Sequence, residues 1–148
     1  MMRLSFGILL AGILSTAAPN AVVQQGNCPQ FTVPQKSFRH VVDRVYVWVD
    51  DIESKFPVGY KPFELVVVIG GAYAPFGTQQ GSLERAPFER LMKTARLNDR
   101  KPLRVSADEV ARGAELSFQS NQRQYRLRVV KVDPSYTGVD KVILQLCQ

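Results

Sequence analysis

Histidine, tryptophan and cysteine are scarce in this 148-residue chain, with one, one and two copies. A lone His40 leaves no histidine pair for a zinc site, and its neighbours Ser37 and Asp43 do not have the spacing of a catalytic triad. Cys28 and Cys147 are too far apart in sequence for a Cys-x-x-Cys redox motif. The chain has no Gly-x-Ser-x-Gly elbow, no Gly-Lys-Ser/Thr phosphate cradle, no Gly-x-Gly-x-x-Gly turn and no Asp-x-Asp-x-Asp-Gly calcium loop. Long apolar runs are missing as well. Leu4 to Leu14 is apolar, whereas a membrane-spanning helix needs about 20 such residues. No cofactor, metal or catalytic residue is therefore assigned, and a non-catalytic role is favoured over an enzyme.

What is present begins with an address. Arg3, the apolar run and the small residues Ser15, Thr16, Ala17 and Ala18 follow the pattern of a secretory signal peptide. Ser15 and Ala17 suit the third and first positions before a cut, so residues 1–17 are expected to be removed. The mature chain is then expected outside the cytoplasm, secreted or periplasmic, without a transmembrane segment. Gln25-Gly26-Asn27 before Cys28 lacks the small and apolar residues of a lipid-attachment site. In an oxidising compartment the two cysteines read as a disulfide, Cys28 to Cys147, that staples the ends of the domain together.

About 130 remaining residues suit one domain with a real core. Residues 18–36, polar and punctuated by proline, read as an extended lead-in, and 37–148 as a single globular domain. Ser37 to Phe56 fits two periods. As a helix, Phe38, Val41, Val42, Val45, Trp48, Val49 and Ile52 form one stripe between an N-cap at Ser37 and a stop at Pro57. As a strand, Val45, Val47 and Val49 face one way and Tyr46 and Trp48 the other. Length and stripe favour the helix; the density of β-branched and aromatic residues favours the strand.

Later segments are plainer. Phe63 to Ile69 is apolar on both faces, as in a central strand. Glu84 to Leu97 reads as a helix with Phe88, Leu91, Met92 and Ala95 toward the core. From Pro102 the pattern is a meander: Leu103 to Ser106, Ala114 to Gln119, Gln124 to Val132 and Lys141 to Cys147. In the third of these, Tyr125, Leu127, Val129 and Lys131 alternate with Arg126, Arg128 and Val130. Ser106 and Glu109 have capping-box spacing. The expected class is α+β, a small antiparallel sheet of about five strands packed with one or two helices; a strand at Arg44 to Asp50 gives instead an all-β barrel or sandwich with one helix.

Charge supplies the functional hint. The formal net charge is +6, and Arg85, Arg90, Lys93, Arg96, Arg100, Lys101 and Arg104 stand against only Glu89 and Asp99 in that stretch. Such a face attracts anionic surfaces, while the absence of any nucleic-acid motif argues against nucleic acid. Tyr73 and Phe76, set among Gly70, Gly71, Gly77 and Gly81, are either contact anchors or core rings. The expected function is a binding or accessory module that recognises a protein partner or an anionic envelope ligand through Arg85, Arg90, Lys93, Arg96, Arg100, Lys101, Tyr73 and Phe76. Two alternatives stand beside it: an extracytoplasmic hydrolase using Asp50, Asp51 or Glu53, and a structural subunit of an envelope assembly.

Overall fold

The computed structural model describes residues 27–55, 58–70, 76, 80–94, 99–135 and 137–148. The signal region at 1–17 lies outside them. Of the described residues, 55% are strand and 14% helix, so the chain is mostly β. In chain order the elements are Gln30–Pro34 (β1), Ser37–Val42 (β2), Val45–Val49 (β3), Ser54–Lys55 (β4), Gly59–Tyr60 (β5), Phe63–Ile69 (β6), Gly81–Ser82 (β7), Arg85–Thr94 (α1), Arg100–Val105 (β8), Ala107–Ala111 (α2), Glu115–Ser120 (β9), Arg123–Asp133 (β10) and Lys141–Cys147 (β11).

One sheet has the order β7-β2-β3-β6-β8 and a second the order β1-β11-β10-β9, both antiparallel, with β4-β5 a separate hairpin. The two large sheets share one core. Val45, Val47, Val49, Leu65 and Val67 of the first pack with Val33, Phe118, Leu127, Val129 and Leu144 of the second. On its other face the five-stranded sheet carries α1: Phe88 and Met92 cover Tyr46, Trp48, Val66 and Val68. The result is three layers, helix α1 on sheet on sheet, with the short α2 against β10 of the four-stranded sheet.

Of the two readings of Ser37 to Phe56 the helix fails and the strand holds: the segment forms the β2–β3 hairpin, turning at Asp43 and Arg44 with Asp43 at φ 47°. All five residues of β3 are buried, the valines in the central core and Tyr46 and Trp48 under α1. A helix in this layered fold buries one stripe; only a strand between two layers buries both faces. Aspartate tolerates the left-handed turn because its short polar side chain can bond locally.

Residues 30–34 form β1 of the four-stranded sheet, with Val33 opposite Val142 on β11 and fully buried. The alternation in β10 holds through Val129. A bulge then intervenes between Val129 and Lys131, so Lys131 is exposed and Val132 turns inward. The capping box at Ser106 and Glu109 is formed and opens α2.

Two seams remain where the sheets meet, β1 beside β2 and β8 beside β9. At the first, Arg39 Nη1 donates to the Thr32 carbonyl at 3.0 Å while its guanidinium lies 5.3 Å from the Phe31 ring centre. At the second, Lys101 Nζ donates to the Ser117 carbonyl at 3.4 Å. Pro34 and Pro102 sit in the strands beside these seams, where a missing N–H disturbs no ladder. Among the described residues no helix is long and apolar enough to cross a membrane.

Candidate functional site

The disulfide closes the fold. Cys28 and Cys147 are bonded with their Cα atoms 4.6 Å apart across 119 residues of sequence. The bond lies beside β1 and β11, and Gln145 Nε2 donates to the Cys28 carbonyl at 3.3 Å.

The basic residues divide into two groups. Arg85 binds Asp50 at 2.8 Å, and Arg100 on β8 binds Glu89 on α1 at the same distance, which ties helix to sheet. Arg90 and Lys93 are exposed on α1, and neither has a carboxylate within 4.0 Å among the described residues. Lys101 spans the β8–β9 seam, Arg104 stands opposite Glu64 in register without an ion pair, and Arg96 lies outside the described residues. The structure thus brings Arg85, Arg90, Lys93 and Arg100 to the helix layer, whereas Lys101 reaches away toward the second sheet.

Tyr73 also lies outside the described residues. Phe76 is half-buried, stacked on Phe38 at 4.1 Å and edge-on to Tyr46 at 5.2 Å. Its ring is engaged with the layer under α1. Gly81 permits that arrangement, since a Cβ there would sit 3.1 Å from the Phe38 ring.

The three carboxylates proposed for hydrolysis have separate cations. Asp50 pairs with Arg85, Asp51 with Lys36 and Glu53 with Lys61. The hydrogen bond from Lys61 and its charge hold the Glu53 carboxyl below its ordinary value. His40 donates from Nε2 to the Asp43 carbonyl and packs edge-on against Tyr46, a local clasp across the hairpin. Burial raises the hydroxyls of Tyr46 and Tyr60; Arg44 offsets part of the first shift and Glu109 adds to the second. Among the described residues no three histidine, cysteine or acidic side chains gather as a metal site.

The outer face of the four-stranded sheet presents a different chemistry. Arg126 and Arg128 alternate outward on β10, exposed, with Ser117 and Glu115 opposite them on β9, and Gln145 on β11 beside Arg128. A notch of about 160 Å³ beside Arg128 is lined by Gln30, Val110, Val129, Val130 and Gln145. Two further hollows are open: about 540 Å³ lined by Asp43, Arg44, Gly70, Ser120 and Asn121, and about 430 Å³ along the β1–β2 seam beside Phe38 and Gly81. The alternation Arg126, Arg128 is visible in the sequence. What the sequence does not show is which strands lie on either side of this one.

No protein-family model, curated protein or solved structure matches the chain.

Proposed function

We propose that this chain is a non-catalytic binding module that works outside the cytoplasm and recognises an anionic ligand. One observation carries the reading: on a chain of formal net charge +6, exposed cations on the outer faces stand with no carboxylate within 4.0 Å among the described residues. Among the described residues six cations, Lys36, Lys61, Arg85, Arg100, Lys131 and Lys141, have carboxylates within 4.0 Å. Arg90 and Lys93 on α1, and Arg126 and Arg128 on β10, have none among the described residues and are exposed. Surplus charge on a rigid scaffold raises the local concentration of an oppositely charged partner. The disulfide supports the address outside the cytoplasm, because such bonds persist in oxidising compartments.

The test is binding of the oxidised protein to soluble sulfated dextran at low and at high salt. Affinity should fall severalfold as salt rises, because exposed charges are screened over about 8–10 Å at physiological ionic strength. The fourfold charge-reversal variant R90E/K93E/R126E/R128E should lose it. Binding that ignores salt, or survives that variant, would overturn the reading.

A further inference from the structure

Resting on that reading, we propose that the notch beside Arg128 is a carboxylate subsite that holds one acidic sugar unit of a uronic-acid polysaccharide. The notch has a built character that the rest of the basic surface lacks. Its wall is the Arg128 guanidinium, which reaches back over the turn after α2: a Cβ on Gly113 would lie 3.4 Å from an Arg128 terminal nitrogen. Gly113 itself has φ +86° and makes the left-handed turn ending α2.

Gln30 and Gln145 are register partners on β1 and β11, and Gln145 is the register partner of Arg128 on β10. Neighbouring strands are about 4.8 Å apart, so Arg128, Gln145 and Gln30 stand in a row across three strands. Gln145 donates to the Cys28 carbonyl, which fixes its amide and leaves its oxygen as an acceptor.

The lining selects among anions. A planar guanidinium fork matches a carboxylate with two parallel hydrogen bonds. Two amides offer donors and acceptors for ring hydroxyls, and Val110 and Val130 supply small apolar walls for C–H edges. A volume of about 160 Å³ holds about five waters, room for one carboxylate and part of its ring but not for an aromatic anchor. Glu115 stands opposite Arg128 on β9 and works against any anion, so the carboxylate must enter from the Gln145 side.

The experiment is an amide NMR titration of the oxidised protein with oligogalacturonate, repeated with a neutral galactan oligomer and with oligoglutamate. Shifts should centre on Gln30, Arg128 and Gln145 with oligogalacturonate and be absent with the neutral sugar. Arg128→Gln should weaken binding about tenfold or more, the equivalent of one charge-assisted hydrogen bond, and Arg128→Lys should recover only part of it. Arg128 is exposed, and an unchanged spectrum elsewhere verifies that its variants fold. Shifts on α1 that survive Arg128→Gln would overturn the subsite and leave the anionic-ligand reading standing. Tighter binding of oligoglutamate in the notch would overturn the sugar assignment. If oligogalacturonate and oligoglutamate both leave the spectrum unmoved, the subsite falls; sulfated dextran binding then decides the broader reading separately.

Discussion

Trp48 joins the helix layer to the sheet through two kinds of contact at once. Its indole stacks on Phe88 with ring centres 4.1 Å apart and planes 5° from parallel, and Nε1 donates to the Leu83 carbonyl at 2.8 Å. Trp48→Phe should keep the stack, leave that carbonyl unpaired and cost about 1–2 kcal/mol, whereas Trp48→Ala should cost about 3–5 kcal/mol, both read by urea denaturation. Glu53 provides a test by pH. Its carboxyl is held below the ordinary value by Lys61, so the pair contributes above that ordinary value and is lost as pH falls through the lowered one. Both groups are exposed, so the effect on stability is small. In Lys61→Met the carboxyl should titrate higher by NMR, and an unmoved titration would remove Lys61 as the cause.

The β9–β10 hairpin turns on Asn121 and Gln122, both at positive φ, 49° and 62°. Two such residues in a two-residue loop match the right-handed twist of the flanking strands. Glutamine gains nothing there from a short polar side chain, so Gln122→Gly should stabilise the protein by about 0.5–1 kcal/mol in thermal denaturation, with Gln122→Val destabilising it. Other local elements were legible because local rules decide them: the capped start of α2 and the alternation of β10 through Val129. The β2–β3 hairpin was not. Phe38, Val41, Val45, Trp48 and Ile52 satisfy a helical stripe while Val45 to Val49 satisfy a strand, and the choice depends on whether apolar layers exist on both sides. Those layers come from α1 and from β10 and β11, distant in sequence. The site was divided in the same way. Arg90 and Lys93 could be read as solvated helix positions, but Arg128 acquires its neighbours Gln30 and Gln145 only through the pairing of β1, β10 and β11.

At the scale of the whole molecule, one covalent bond closes a strand order in which β1 and β11, the first and last strands, lie side by side. A loop of 119 residues closed in this way constrains the unfolded chain by about 4–5 kcal/mol in the chain-entropy account. Reduction should therefore lower the denaturation midpoint strongly, comparable with much of a small domain's net stability, as read by thermal unfolding with and without reductant. A midpoint indifferent to reduction would mean that the sheets alone carry the fold. Reduction also removes the tether beside Gln145, so oligogalacturonate binding at the notch should weaken under conditions where the protein stays folded. The claim that organises these scales is that surplus cations on a rigid, disulfide-closed scaffold exist to hold an anionic ligand. Native mass spectrometry of the oxidised protein, isolated gently from its producing cells at low and at high salt, tests it most directly. A bound acidic ligand at low salt that leaves at high salt is the expected result; a bare monomer under both conditions would contradict it.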